Sequence, residues 1–81
     1  MKLFYTPKFQ RSFKRFTNII QKKFYKNIDL LLHNIRYPSL RAKKYDEALD
    51  IWQARVDKNV RFYFIIKSNS YILLDIRRHS D

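Results

Sequence analysis

Hydrophobic and polar residues alternate through the segment 51–66, IWQARVDKNVRFYFII, as they do in two β-strands joined by a short loop. The polar tripeptide Asp57-Lys58-Asn59 separates the two runs, and Asn59 is a residue type that tolerates the left-handed backbone common in such loops. Because successive side chains of a strand point to opposite faces, one face of this hairpin is wholly apolar. It carries Trp52, Ala54, Val56, Val60, Phe62 and Phe64. The pattern predicts that this face packs against the core.

The opposite face of the predicted hairpin is polar and basic. It carries Gln53, Arg55, Arg61 and Tyr63. If Val56 pairs with Val60 across the loop, Arg55 lies directly opposite Arg61. Like charges in this arrangement repel each other unless an anion lies between them. The pattern therefore indicates an anion-binding face.

A third alternating run, YILLDIR at residues 71–77, predicts a further strand with Ile72, Leu74 and Ile76 on its apolar side. Matching the core faces across the loop 68–70 pairs Lys67 with Tyr71, and this register places Arg61 opposite Arg77. Arg55, Arg61 and Arg77 then form one row on the polar face, with His79 just beyond the strand on the same side. A shift of one residue would abolish the row.

The N-terminal part of the chain is helical in pattern. Residues 3–5 form a short apolar run typical of an edge strand, and Thr6 followed by Pro7 is a strong helix start. Phe9, Phe13 and Phe16 then share one face of a first helix.

A second helix follows almost at once, with Thr17 or Asn18 as its N-cap and Pro38 marking its end. Its apolar stripe contains Ile20, Phe24, Ile28, Leu31, Leu32 and Ile35. The two helices are expected to form a hairpin.

These elements predict one α+β domain over residues 1–81, in the order β-α-α-β-β-β. The segment PSLRAKKY at 38–45 and the acidic turn Asp46-Glu47 connect the helices to the sheet. We expect a four-stranded, mainly antiparallel sheet with the N-terminal helical hairpin packed on one face. The other face, which carries the arginines, stays open.

The charge of the chain points to a polyanionic partner. Eighteen Lys and Arg residues against seven Asp and Glu give a formal net charge of +11. The absence of glycine excludes glycine-rich nucleotide-binding loops, and the absence of cysteine excludes disulfides and thiolate chemistry. No segment has the roughly 20 apolar residues that a membrane span requires, and we expect a cytoplasmic protein that does not contact membranes.

The candidate chemistry is RNA cleavage without a metal. The seven acidic residues are scattered, so we expect no metal site and no cofactor. RNA supplies its own nucleophile, the 2′-hydroxyl group. The protein then has to supply a base, an acid for the leaving oxygen and cations for the phosphate. Tyr63 is a candidate for stacking on a base.

Four segments resemble the RelE/ParE superfamily of bacterial toxins: TPKFQRSFKRF, PSLRAKKY, IWQARVDKNVRFYF and YILLDIRRHSD. They cover nearly the whole chain. The hairpin and the final His-Ser-Asp are closer to the mRNA-cleaving branch, especially its YafQ-like group, than to the gyrase-poisoning ParE branch. The resemblance implies a RelE-like fold and a ribosome-dependent endoribonuclease whose partners are the ribosome, mRNA and a cognate antitoxin.

The resemblance also implies roles for individual residues. Arg61 would stabilise the scissile phosphate, and His79 would protonate the leaving 5′-oxygen with Asp81 beside it. Arg55 and Arg77 are further catalytic candidates because the predicted register, not the resemblance, places them beside Arg61. The predicted substrate-binding residues are Lys43, Lys44, Tyr63 and Asp81.

Two alternatives remain open from the sequence. One is a gyrase inhibitor of the same fold, in which the histidine has no role. The other is a catalytically weak or degenerate module that binds RNA or antitoxin. The second is favoured by one departure from the YafQ-like pattern: no aromatic residue follows His79 within these 81 residues.

Overall fold

In the computed structural model, residues 1–79 are described. They form β1 (Lys2–Tyr5), α1 (Pro7–Phe13), α2 (Asn18–His33), β2 (Lys43–Asp46), β3 (Ile51–Arg55), β4 (Val60–Lys67) and β5 (Ser70–Arg78), with a short 3₁₀ turn at Pro38–Leu40. The predicted substrate-binding residue Asp81 lies outside the described residues.

The sheet has the strand order β1-β5-β4-β3-β2, and all neighbouring strands are antiparallel except β1 and β5. The predicted α+β class is confirmed. The prediction of four strands is wrong, because residues 43–46, assigned to a connection, form the edge strand β2 against β3. Two lysines in this strand suit an edge position, where charged side chains discourage pairing with another sheet.

Both helices begin where the sequence predicts. The hydroxyl oxygen of Thr6 accepts a hydrogen bond from the Phe9 N–H, and that of Thr17 accepts one from the Ile20 N–H. The sequence predicts that the second helix ends at Pro38. It ends earlier, at His33, because Asn34 already has an extended backbone with φ −165°.

The core is a line of aromatic rings between the helices and the sheet. Phe9 packs on Phe24 with ring centroids 5.2 Å apart, and Phe24 packs on Phe62 at 5.3 Å. All three side chains are buried, as predicted. Phe13, Ile20 and Trp52, for which the pattern also predicts burial, are partly buried around this cluster.

The predicted pairing of the three arginines is observed, although the turn that leads to it is shorter than predicted. Arg55 pairs with Arg61, and Arg61 pairs with Arg77. The β4–β5 turn contains only Ser68 and Asn69, with φ of 51° and 58°, as a type I′ turn requires.

This tighter turn shifts the start of the hairpin by one residue. Lys67 therefore pairs with Ser70 rather than with the predicted Tyr71, and an irregularity between Tyr63 and Phe64 restores the expected register beyond it. Between the turn and this irregularity, the residues of β5 that were predicted to face the core face away from it, and their neighbours face the core instead. Leu73 is thus fully buried in the core, and Leu74 lies outside it, contrary to its predicted burial.

The loop between β3 and β4 is held by side chains and not by a left-handed residue. Asn59 does not adopt a positive φ, contrary to the expectation from its residue type. Instead, Asp57 Oδ1 accepts hydrogen bonds from the N–H groups of Asn59 and Val60, at 2.8 and 3.0 Å.

Neither helix in residues 1–79 is long and apolar enough to cross a membrane.

Candidate nucleic-acid interface

The open face of the sheet contains a cavity of about 560 Å³ at the end formed by β2, β3 and the start of β4. Five basic residues line it: Arg41, Lys43, Lys44, Arg55 and Arg61. Its remaining lining residues are Tyr45, Gln53 and His79. No acidic residue of the described chain lines this cationic cavity, so its potential is strongly positive.

Arg61 is buried, with only 6% of its surface exposed, and it is anchored at one end. Its Nη1 donates to the carbonyl oxygens of Asp57 and Lys58, at 2.8 and 3.1 Å. Within residues 1–79, hydrogen bonds from the Arg61 side chain come from Nη1 alone. The Nε and Nη2 donors are therefore available on a guanidinium that is already held in place, and a guanidinium can offer two parallel donors to a phosphate.

The guanidinium of Arg55 sits close to two other cations. Its pKa is lowered, chiefly because burial disfavours the charged form and further because Arg41 and Arg61 repel it. An anion in the cavity would relieve this repulsion. Arg41 reaches the site from the end of the 3₁₀ turn, where it has a left-handed backbone with φ 45°.

The two lysines of β2 differ in whether nearby carboxylates balance their positive charge. The Lys44 ammonium binds Asp50 and lies 3.9 Å from Glu47 and 5.2 Å from the centroid of the Trp52 ring. The hydrogen bond to Asp50 is the main reason that the pKa of Lys44 is raised. Lys43 is exposed and forms no ion pair within residues 1–79, so it is the lysine better able to bind an incoming anion.

His79 lines the same cavity as Arg61. It is exposed, and its backbone N–H donates to the carbonyl oxygen of Asn59 at 2.7 Å. The β3–β4 loop therefore contacts both residues: the carbonyls of Asp57 and Lys58 bind Arg61, and that of Asn59 binds His79.

Arg77 does not join this cavity, although it pairs with Arg61 in the sheet. Its guanidinium carbon lies 4.3 Å from the centroid of the Tyr63 ring, and its Nε lies 3.4 Å from Asp75 Oδ2. Arg55, Arg61 and Arg77 thus share a row in the backbone register, as predicted, but the Arg77 side chain does not line the cationic cavity with the other two. Arg77 instead turns towards the carboxylate of Asp75 on its own strand and towards the ring of Tyr63 on β4.

Arg77 and Tyr63 instead line a second cavity of about 410 Å³. Tyr63, the sequence candidate for stacking on a base, is only 7% exposed, and Arg77 covers one of its faces. The ring of Tyr45 is accessible, since this residue is 54% exposed. Its centroid lies 4.9 Å from that of Tyr63, and Tyr45 lines both cavities.

The sequence pattern places Gln53 on the polar face without giving it a role, and it gives no role to Arg41 or Tyr45. Gln53 follows from the alternation of β3, and the spacing of Lys43 and Tyr45 is that of one face of a strand. Arg41 has no such signal, because its position depends on a 3₁₀ turn that the pattern does not predict.

No group of three or more His, Asp or Glu side chains suited to a metal ion occurs among residues 1–79. The charged side chains that line the larger cavity on the open face are cations.

No protein-family model matches the sequence, and no curated protein sequence matches it either. Solved structures do match. A YoeB/ParE toxin from Agrobacterium tumefaciens has a TM-score of 0.79 at 15% identity, over 99% of this chain and 100% of that one. YafQ from E. coli strain BL21(DE3) has a TM-score of 0.75 at 13% identity, covering 95% and 91%. The toxin–antitoxin complex RelBE2 from Mycobacterium tuberculosis has a TM-score of 0.75 at 16% identity, over 96% of this chain and 96% of that one.

The chain therefore has the fold of the RelE/ParE-superfamily toxins. At these identities the likeness defines the fold, and the chemistry has to be argued from the cavities.

Proposed function

We propose that this protein is the toxin of a toxin–antitoxin module and that it cleaves mRNA on the ribosome, in the cytoplasm and without a metal cofactor. The observation that carries the proposal is the anchored guanidinium of Arg61. It combines near-complete burial with two donors that remain available in a cavity lined by four further basic residues.

The proposed reaction uses the substrate's own nucleophile. The 2′-hydroxyl oxygen attacks the adjacent phosphorus and loses its proton to water, and the bond from phosphorus to the 5′-oxygen breaks. His79 as imidazolium gives its proton to that leaving oxygen. The products are a 2′,3′-cyclic phosphate and a 5′-hydroxyl end.

The cations have separate roles in this reaction. Arg61 binds the non-bridging oxygens, which gain charge as the fifth bond to phosphorus forms, and Arg55 adds positive potential beside it. Lys43 and Arg41 bind neighbouring phosphates of the strand. Lys44 acts less directly, because Asp50 already neutralises its ammonium.

The positive charge of this cavity also indicates what kind of protein would inhibit it. We propose that the cognate antitoxin places acidic residues over it and so excludes RNA. The RelBE2 structure is a toxin–antitoxin complex of the same fold, which supports a protein partner of this type.

Single-turnover cleavage of mRNA on programmed ribosomes tests the proposal. Arg61→Lys keeps a charge and a donor for the loop carbonyls but loses the two-donor fork, and we expect cleavage to slow about 10²–10³-fold. His79→Ala should slow cleavage about 10²–10⁴-fold while ribosome binding stays close to that of the wild type. Arg11→Lys, at an exposed position of α1, is the control and should have no effect.

The outcomes separate the candidate functions. Wild-type rates for both Arg61→Lys and His79→Ala would overturn the catalytic assignment. A protein that binds ribosomes without cutting mRNA would be a binding module, and inhibition of DNA supercoiling without RNA cleavage would indicate a gyrase inhibitor.

A further inference from the structure

The second cavity, which we call the aromatic cavity, differs chemically from the cationic cavity beside it. Tyr45, Tyr63, Ile51 and Leu74 give it an apolar lining, and Asp75 and Arg77 provide polar groups. Its volume of about 410 Å³ is within the range of about 300–1,000 Å³ that is typical of small-molecule sites. A flat apolar group with polar edges suits such a lining.

The two cavities adjoin at Tyr45, which lines both. A nucleotide strand whose phosphate occupies the cationic cavity can therefore place a neighbouring base in the aromatic cavity. The exposed ring of Tyr45 is available for stacking, which is the usual way in which proteins hold unpaired bases.

Asp75 supplies a buried acceptor in the aromatic cavity. Its Oδ1 already accepts hydrogen bonds from the Ser12 hydroxyl and the Ile76 N–H, at 2.7 and 2.9 Å. Its Oδ2 accepts no hydrogen bond within residues 1–79, where its ion-pair partners are Arg77 and Lys8, at 3.4 and 3.8 Å. One oxygen thus fixes the carboxylate, and the other can still accept a donor from a ligand.

We propose that the aromatic cavity binds a nucleobase and that Asp75 selects a base with an exocyclic amino group. The inference rests on the proposed RNA-cleaving function for its substrate class, but not on catalysis. An amino group donates to Oδ2. Uracil instead presents carbonyl oxygens on either side of its ring N–H, and these repel the carboxylate.

Cytosine and uracil provide a matched comparison, since one carries an amino group where the other carries a carbonyl oxygen. The probes are 2′-O-methyl trinucleotides of cytidine and of uridine, which cannot be cleaved because their 2′-oxygen carries no proton. Their binding is measured without ribosomes and at low salt, by NMR titration of the ¹⁵N-labelled protein. We expect the cytidine trinucleotide to bind about tenfold more tightly, as one hydrogen bond to a charged acceptor allows.

Three variants locate the effect. Asp75→Asn keeps the shape of the side chain but replaces one oxygen by an NH₂ donor, and it should make the two trinucleotides bind equally. Tyr45→Ala, at an exposed position, should weaken both equally. Asp29→Asn, at an exposed position of α2, is the matched control and should leave the preference unchanged.

A second readout keeps the test informative if Asp75→Asn does not fold. In the wild-type protein, the cytidine probe should shift the ring resonances of Tyr45 and the amide resonance of Ile76. The proposal is overturned if both trinucleotides bind equally to the wild type, if neither binds, or if the shifts are confined to the cationic cavity. A clear cytidine preference in a protein that fails to cleave mRNA would uphold this site and reject the catalytic role.

Discussion

The Arg61 guanidinium is fixed by the loop that precedes its own strand: Nη1 lies 2.8 Å from the carbonyl oxygen of Asp57. That loop is in turn bound to α2. The Asn27 side-chain amide donates to the carbonyl oxygens of Arg55 and Val56, at 2.8 and 2.9 Å, and Lys23 lies 3.6 Å from Asp57 Oδ2. A helix on the covered side of the sheet thereby sets the position of a cation on the open side.

Replacing Asn27 by Ala should therefore reduce both stability and activity. The change removes the donors to two backbone carbonyls at a residue that is only 8% exposed, and each unsatisfied group costs about 1–3 kcal/mol. Urea unfolding measures the fall in stability, with Lys26→Ala on the exposed face of the same helix as control. An Asn27→Ala protein as stable as the wild type would show that water replaces the amide.

The two helix caps should differ in strength. Both Thr6 and Thr17 accept a hydrogen bond at the start of a helix, but the Thr6 hydroxyl also donates to the carbonyl oxygen of Leu73 at 2.8 Å. Thr17→Ala should cost about 1 kcal/mol and Thr6→Ala about 2 kcal/mol, the upper end for a cap. Thermal unfolding of both variants makes the comparison. Equal losses of stability would mean that the bond to β5 adds nothing.

Phe62 is expected to dominate the core on the sheet side. It is fully buried against Phe24, so Phe62→Ala should lower the free energy of unfolding by about 3–5 kcal/mol. Phe4, at 56% exposed, is the control, and Phe4→Ala should cost less than about 1 kcal/mol. Chemical denaturation of the two variants measures both values. A small effect at Phe62 would contradict the assignment of the core face.

The exposed lysines of α2 should contribute to ribosome binding if this helix binds RNA. Replacing Lys22 and Lys26 by Gln should reduce the slope of log K against log salt by about 0.7–0.9 for each phosphate that the helix no longer binds. Lys23→Gln should change the slope less, because Asp57 already pairs with that ammonium. Ribosome binding at several salt concentrations measures these slopes, and unchanged slopes in all variants would show that α2 does not bind ribosomal RNA.

The sequence predicts backbone pairing in this protein better than it predicts side-chain direction. Alternation along β3 and β4 correctly places Trp52 and Phe62 on the core face and Arg55 opposite Arg61. Periodicity is sufficient there because an apolar face can pack in only one way against the helices.

Residues of the site are harder to predict, because their side chains respond to partners that are distant in sequence. Arg77 turns away from Arg61 because Asp75 and Tyr63 together offer an ion pair and a ring face. The irregularity after Tyr63 depends on the tightness of the turn at Ser68, and alternation alone does not reveal it.

The parallel pairing of β1 with β5 has a consequence for how the protein is made. Residues 2–5 pair in the sheet only with residues 70–73, so β1 cannot join the sheet until β5 has been synthesised. Translation proceeds from the N-terminus, and β5 therefore has to leave the ribosomal exit tunnel before the sheet can close. Because His79 follows directly after β5, a nascent chain cannot complete the cationic cavity until this segment too has emerged from the ribosome that makes it.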